Sequence, residues 1–246
     1  MDRRKFLAAS IAASCSATQI TASSFAAGPQ GEKPKPEYYE LRLYHLRRGP
    51  KPRLFDDFYR EAALPAMNRN GIGPVGVFNV MVGPDNPTAY VLIPYKSAEA
   101  FATATERVRA DAEYQKAGAP FINAAASDPS YVRVESSLMV AFDSVPKLEV
   151  PPAATANKPR IFELRTYESH SKKASKKKIE MFNTGEIAIF RRTGLRPVFF
   201  GETLIGSNLP NLTYMITFDD MAAREKSWGA FRDDPEWKKL SATPET

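Results

Sequence analysis

An internal duplication is the feature that most constrains the fold, because two parts of the 246-residue chain repeat at a separation of 123 residues. The segment YYELRLY begins at Tyr38, and the similar segment IFELRTY begins at Ile161. Self-similarity over this length indicates a structural unit that the chain builds twice. The other matched pairs are 71–75 (GIGPV) with 194–198 (GLRPV), Val82 with Ile205, and Asp111 with Asp234.

Each copy predicts the element order β-α-β-β-α-β, because period-two strands alternate with segments of helical spacing. We therefore predict an α+β fold of two tandem ferredoxin-like units that form a dimeric α/β-barrel-like pseudo-dimer. A strand at 131–142 completes the first unit, and the second unit lacks its counterpart before Thr246. Either the chain is truncated or a partner completes the edge of that sheet. The predicted boundaries are 38–142 and 160–246 for the units and 28–37 and 143–159 for two Pro-rich linkers.

The first 27 residues have the pattern of an export signal. Arg3, Arg4, Phe6 and Leu7 precede a short run of small and weakly apolar residues, as in a twin-arginine signal peptide. We therefore expect recognition by the twin-arginine export machinery and a soluble periplasmic protein after cleavage. Cys15, the only cysteine, leaves processing as a lipoprotein open as an alternative. Its removal would exclude disulfides and cysteine metal sites from the mature chain.

The repeated Glu-Leu-Arg strand supplies the candidate site. Alternate residues of a strand face the same side, and we predict that this polar side points between the two sheets. One interpretation is a structural ion-pair network; the other is a polar cavity for a small anionic or phenolic ligand, with arginine as the clamp and tyrosine as the donor. The candidate residues are Glu40, Arg42, Tyr44, Glu163, Arg165 and Tyr167, together with Tyr90 and Tyr214, which match after an inserted residue.

Several kinds of site and partner are excluded or unsupported. The net charge of +6 is mild and no basic face is interleaved with aromatic residues, so we expect no nucleic-acid partner. The basic run Lys172–Glu180 is interpreted as a solvated helix start, with an anionic contact as the alternative. His45 and His170 do not occupy equivalent positions and lack further ligands, so no metal and no cofactor are predicted. A haem ligand remains open for either histidine, and a general base remains open for His45.

The segments FELRTY, GLRPVFFGETLIG, NLTYMITFDDMAAREKSW and FRDDPEWKKLSATPE resemble the NIPSNAP family. The resemblance is close over 160–246 and weaker over 38–142. It implies a dimeric α/β-barrel fold and a homo-oligomer, but it brings no established catalytic motif. We expect a small-ligand-binding or assembly module without catalysis. The alternative is a cofactor-free monooxygenase or oxidoreductase that acts on a small aromatic substrate.

Overall fold

A computed structural model describes residues 34–83, 85–152 and 159–242. The predicted leader, with Arg3, Arg4, Phe6, Leu7 and Cys15, lies outside these residues. The described part contains seven strands: β1 (Tyr38–His45), β2 (Gly76–Asn79), β3 (Thr88–Tyr95), β4 (Arg133–Ala141), β5 (Ile161–Glu168), β6 (Arg196–Ile205) and β7 (Asn211–Phe218). No helix within it is long and apolar enough to cross a membrane.

Six helices accompany these strands in the described ranges. Two are long helices with a π-helical turn: α1 runs through Lys51–Phe58, Tyr59–Ala63 and Leu64–Arg69, and α4 runs through Lys172–Met181, Phe182–Glu186 and Ile187–Thr193. The other four are α2 (Ala98–Arg109), α3 (Ala112–Ile122), α5 (Met221–Asp233) and α6 (Pro235–Ser241). The second helix of each predicted β-α-β-β-α-β unit is therefore two helices.

All seven strands form one antiparallel sheet in the order β2-β3-β1-β4-β6-β7-β5. The halves of the chain join where β4 pairs with β6, with Ala141 opposite Gly201. The sheet is a half-barrel with β2 at one edge and β5 at the other. The α+β part of the prediction is thus confirmed.

The separation of 123 residues holds at the level of strand register. Arg42 lies opposite Val91 in β3, and Arg165 lies opposite Tyr214 in β7. Tyr214 therefore corresponds to Val91, and the prediction that it corresponds to Tyr90 is wrong. No residue is inserted in the second copy, and Tyr90 faces the opposite side of the sheet from Arg42.

The π-helical turns Tyr59–Ala63 and Phe182–Glu186 are also equivalent. A proline, Pro65, follows the first turn, whereas Ala188 stands at the corresponding place in the second. The proline is therefore not required for the π turn. Such turns often occur at functional sites, because the extra residue changes which side chains face inward.

An arginine and an aspartate connect two helices in each half. Arg69 contacts Asp111 through two hydrogen bonds of 2.8 Å, and Arg192 contacts Asp234 at 2.9 and 2.7 Å. Each aspartate also caps the helix that follows it, since Asp111 accepts from the Tyr114 N–H at 2.9 Å. The cap thus begins a separate helix at Ala112.

The two faces of the sheet have different environments. Tyr39 and Phe199 are fully buried in an apolar cluster on the face away from the helices, with ring centres 5.3 Å apart. The side chains of Glu40, Arg42 and Tyr44 lie on the helix side instead. The predicted orientation is therefore wrong, and so is the predicted polar cavity between the sheets, because apolar side chains pack there. The members of that cluster are Tyr39, Leu41, Leu92, Met139, Ala141, Val198, Phe199 and Met215.

Candidate functional site

In the first half of the chain, Glu40 and Arg42 form a closed ion pair. Arg42 donates from Nε to Oε1 at 2.6 Å and from Nη2 to Oε2 at 2.9 Å. Tyr95 and Ser136 donate their hydroxyls to the same carboxylate at 2.9 and 2.8 Å. Burial opposes ionisation of Glu40, but these hydrogen bonds outweigh it and hold the carboxyl pKa below its ordinary value. Each oxygen of the Glu40 carboxylate thus accepts two hydrogen bonds from within the protein.

Tyr44 completes this structural cluster. Its hydroxyl accepts a hydrogen bond of 3.0 Å from Tyr59, the first residue of the π turn. Its ring lies 5.0 Å from that of Phe55 and 5.7 Å from that of Tyr131. Tyr44 is 7% exposed, so in this half the structural interpretation of the Glu-Leu-Arg strand is the one that the packing supports.

The second copy of the strand has a different arrangement of the same residues. Arg224 holds Glu163 with bonds of 2.7 Å from Nε and 3.2 Å from Nη2, and Trp228 donates its indole N–H at 3.1 Å. Arg165 reaches Glu163 at 3.5 Å. The Arg165 side chain is 34% exposed, against 21% for Arg42. Two guanidinium groups therefore share one carboxylate.

Substitutions on the helix that covers the strand explain the difference. At the position of Arg224 the first half has Phe101, and at the position of Trp228 it has Thr105. The second half thus adds a cation and an N–H donor to Glu163. These groups take the carboxylate, so Arg165 lies over the Trp228 ring at 4.6 Å from its centre.

A cavity of about 690 Å³ lies over this strand in the second half. The cavity is lined by Arg165, Thr166, Tyr167, Glu168, Ser169, His170, Ala174, Lys178, Glu186, Arg224, Trp228, Phe231, Arg232 and Trp237. Its volume is in the range usual for small-molecule sites.

Three charged residues of the cavity replace residues of the first-half core. Lys178 stands at the position of Phe55, which is fully buried, and its amino group lies 5.5 Å from the centre of the Tyr167 ring. Glu186 stands at the position of Ala63 and is 3% exposed. Arg224, in place of Phe101, is the third. Charge at such positions opposes folding unless it is paired, so this half gives up apolar packing for a charged lining.

Tyr167 lines the cavity, and Tyr214 packs against Tyr167. The hydroxyls of Tyr167 and Tyr214 are hydrogen-bonded at 3.0 Å. Burial, together with the neighbouring Tyr167, raises the pKa of Tyr214 far above its ordinary value. The Tyr214 phenol is therefore neutral near pH 7 and can act as a hydrogen-bond donor.

The predicted site residues are thus divided among different places. Arg165 and Tyr167 line the cavity, and Glu163 and Tyr214 contact its lining residues. The other predicted residues, Glu40, Arg42, Tyr44 and Tyr90, lie in the packed first half.

The two histidines also differ. His170 lines the cavity. The ring nitrogens of His45 contact Asp85 and Glu135 at the end of β1. In the part of the chain described here, no group of three or more histidine, cysteine, aspartate or glutamate residues could hold a metal ion.

Sequence reasoning did not find Lys178, Glu186, Arg224 and Trp228 as members of a site. One signal was present in the segment MFNTGEIAIF, where Glu186 follows the apolar Phe182 by four residues and precedes Phe190 by four. A carboxylate on the inward face of an amphipathic helix is unusual and indicates a buried polar function.

Comparison with known proteins identifies the family. The family model for NIPSNAP matches residues 39–142 and 162–246. No curated protein is significantly similar.

Solved structures give the fold. A candidate monooxygenase from Fusobacterium nucleatum is 12% identical, with 83% of this chain and 84% of that chain covered and a TM-score of 0.51. An uncharacterised NIPSNAP-like domain protein from Burkholderia xenovorans is 22% identical over 48% of this chain and 97% of that chain, with a TM-score of 0.38. A NIPSNAP family protein from Agrobacterium tumefaciens is 19% identical over 46% and 91%, with a TM-score of 0.38. Because the family model covers most of the chain, the protein belongs to the NIPSNAP family.

Proposed function

We propose that this protein binds a small aromatic anion in the cavity of its second half. The observation that carries the proposal is the replacement of Phe55, Ala63 and Phe101 of the first half by Lys178, Glu186 and Arg224 around a cavity of about 690 Å³. The lining carries more cationic than anionic side chains, so the cavity favours an anion.

The lining determines the class of ligand. Four cations, Arg165, Lys178, Arg224 and Arg232, face two carboxylates, Glu168 and Glu186. The planar guanidinium group of arginine can donate two parallel hydrogen bonds to a carboxylate. The rings of Trp228, Phe231, Trp237 and Tyr167 form the remaining wall, against which an aromatic ring can stack.

The test uses intrinsic fluorescence, because both tryptophans of the chain line the cavity. Benzoate and 4-hydroxybenzoate are titrated into the full chain, with benzamide as the neutral analogue. We expect a saturable change with the two acids and a much weaker one with benzamide. Lys178→Phe, which restores the first-half residue, should weaken binding about tenfold, whereas Arg60→Ala, on an exposed helix face, should not. Equal responses to acid and amide would contradict the proposal.

A second candidate, an enzyme acting on the same ligands, rests on Glu186. This buried carboxylate lines the cavity and would accept the proton of a bound phenol. A phenol and dioxygen could then give a quinone and water, with dioxygen as the oxidant. Oxygen consumption with a bound phenol, lost in Glu186→Gln while binding persists, would support this reaction. Binding without oxygen consumption would reject the enzymatic function and support the binding function.

We also infer that each half is a ferredoxin-like unit. The order β2-β3-β1 of the first half recurs as β6-β7-β5 in the second. The equivalent π turns and Arg–Asp pairs support the same interpretation.

We further propose that residues 1–27 direct export by the twin-arginine route to the periplasm. The support is the sequence pattern of Arg3, Arg4, Phe6 and Leu7 before a run of small residues. Cell fractionation tests it: Arg3→Lys combined with Arg4→Lys should retain the protein in the cytoplasm. Unchanged distribution would reject this route.

A further inference from the structure

We propose that one end of the sheet docks on a membrane surface that carries anionic lipids. Apolar side chains at the two hairpin turns enter the lipid interface, and exposed cations around them meet the lipid head groups. None of the residues that carry this proposal lines the small-ligand cavity, so it does not rest on the proposed ligand binding.

The strand directions bring both hairpin turns to the same end of the sheet. β1, β6 and β5 run the same way, because each pair of neighbouring strands between them is antiparallel. The turn after β2 lies beside the end of β1, where His45 is opposite Thr88. The turn after β6 lies beside the end of β5, where Glu168 is opposite Asn211. We call this end, which comprises residues 46–50, 80–83, 85–87, 131–132, 169–173 and 204–210, the turn end.

The turn end is arranged around one end of a curled sheet. The two edges of the sheet approach each other, since the ring of Phe78 in β2 lies 4.8 Å from the ring of Phe162 in β5. The connections between the strands therefore surround one opening. Several of them can contact a flat surface at the same time.

Exposed apolar side chains are concentrated at the turn end. Met81 and Val82 are 76% and 95% exposed, and their equivalents in the repeat, Leu204 and Ile205, are 44% and 66% exposed. Turns usually carry polar residues or glycine, yet both copies have an exposed apolar pair at this place. Of the ten large apolar side chains that are exposed in the described residues, seven lie at this end: Met81, Val82, Tyr131, Val132, Leu204, Ile205 and Leu209. Such a concentration marks a contact surface.

The same end carries exposed cations. Arg47 and Arg48 follow β1, and Lys172 and Lys173 follow β5. All four are exposed, and none of them has an acidic partner among the described residues. Cations at this place can therefore contact anionic lipid head groups without breaking an ion pair.

The carboxylates at and beside the turn end already have partners. Asp85 contacts one ring nitrogen of His45, and Glu135 contacts the other at 2.9 Å. Asn208 donates to Glu168 at 3.0 Å. Asp85 is the one carboxylate among the described residues of the turn end, against four arginines and lysines. The turn end is thus complementary in charge to an anionic surface.

A lipid surface suits this arrangement better than a protein partner does. The exposed apolar side chains stand on separate connections, whereas a stable protein interface needs a contiguous, well-packed apolar centre. Fluid lipid accommodates separate points of insertion, and the attraction to anionic head groups adds to the apolar contribution.

Flotation of the full chain with phospholipid vesicles tests the proposal. We expect binding to vesicles that contain phosphatidylglycerol, weaker binding to pure phosphatidylcholine, and a decrease with added salt. Val82→Asp combined with Ile205→Asp should weaken binding at least about tenfold. The control is Met221→Asp, since Met221 is 53% exposed and follows β7 at the opposite end of the sheet. All variants keep residues 1–33, so any contribution of that segment is the same in each.

Removal of the cations is the second arm. Lys172→Gln combined with Lys173→Gln should weaken binding to the anionic vesicles about tenfold or more and leave binding to phosphatidylcholine unchanged. Lys35→Gln combined with Lys96→Gln is the matched control, because both lysines are exposed at the opposite end, before β1 and after β3. Circular dichroism of each variant verifies that it is folded.

A fluorescent label tests whether the turn after β2 is itself in contact with lipid. An environment-sensitive dye is attached at Val82→Cys in a chain that also carries Cys15→Ser. Its emission should shift to shorter wavelength when anionic vesicles are added. Emission that is already shifted without vesicles would mean that another part of the chain or a second copy covers the turn, and this would overturn the proposal. Absence of vesicle binding, or equal binding by the Val82 and Ile205 double variant and the unmodified chain, would do the same.

Discussion

The guanidinium carbon of Arg165 lies 4.6 Å from the centre of the Trp228 ring, and the same indole donates its N–H to Glu163 at 3.1 Å. One side chain thus positions both charged members of the second Glu-Leu-Arg strand. The first half has no such residue, because Thr105 stands at this place. The arrangement leaves Arg165 with one long contact of 3.5 Å to Glu163 and places it next to the cavity.

Trp228→Phe should therefore destabilise the protein by about 1–2 kcal/mol, since a hydrogen bond to a charged acceptor is lost. The measurement is urea denaturation followed by circular dichroism. Trp237→Phe is the matched control, because that ring lines the cavity without donating to Glu163, and it should cost less than about 1 kcal/mol. Equal losses for the two variants would mean that the indole hydrogen bond does not contribute.

The two arginines of the repeated strand should respond differently to removal. Arg42→Ala leaves the buried Glu40 carboxylate without its cation and should cost about 3–5 kcal/mol. Arg165→Ala should cost less than about 1 kcal/mol, because Arg224 still holds Glu163 at 2.7 Å. Chemical denaturation of both variants beside Arg60→Ala gives the comparison. A cost for Arg165→Ala equal to that for Arg42→Ala would show that the second pair is as structural as the first.

The sequence predicted the duplication and the order of elements, because the spacing of 123 residues and the strand periodicity are local signals. It did not predict which face of β1 contacts the helices. Both faces of this strand are covered, so alternation alone cannot assign them. Tyr39 and Leu41 suit either side, and Glu40 is tolerated beneath the helices because Arg42, Tyr95 and Ser136 donate to it.

The site was harder to predict for the same kind of reason. The residues that distinguish the site differ between the two copies, whereas a repeat is recognised by the residues that the copies share. Glu163, Arg165 and Tyr167 were found as repeated residues, but Lys178, Glu186 and Arg224 stand where the repeat fails. Their common location became visible only when the register of both halves was known.

The paired arginines and aspartates predict a dependence of stability on pH. The hydrogen bonds from Arg69 and from the Tyr114 N–H lower the pKa of Asp111 to about 2, and Arg192 does the same for Asp234. A carboxyl whose pKa is lower in the folded state stabilises it above the unfolded value of about 3.8. This stabilisation is lost as the pH falls from about 4 to about 2.

The free energy of unfolding, measured in urea between pH 5 and pH 2, should therefore decrease with falling pH. Arg69→Ala combined with Arg192→Ala should make that decrease shallower, because both aspartates then return towards their ordinary pKa. Arg60→Ala serves as the control, since it contacts neither aspartate. An unchanged slope in the double variant would contradict the assignment of these pairs.

Because the cavity has a charged lining, we predict that removing one of its charges raises the stability of the protein and lowers its affinity for the ligand. Lys178→Phe restores the residue that packs against Tyr44 in the first half and removes a partly buried cation from beside Tyr167. We expect the unfolding free energy to rise by about 0.5–2 kcal/mol while the affinity for 4-hydroxybenzoate falls about tenfold. Denaturation and fluorescence titration on the same preparation measure both.

Phe55→Lys in the first half is the reverse control and should destabilise the protein without creating a binding site, because the rings of Phe121 and Tyr131 occupy the space above Tyr44. If Lys178→Phe left binding intact, the amino group would have no role in holding the anion, and the cavity would take its ligand by its aromatic wall alone.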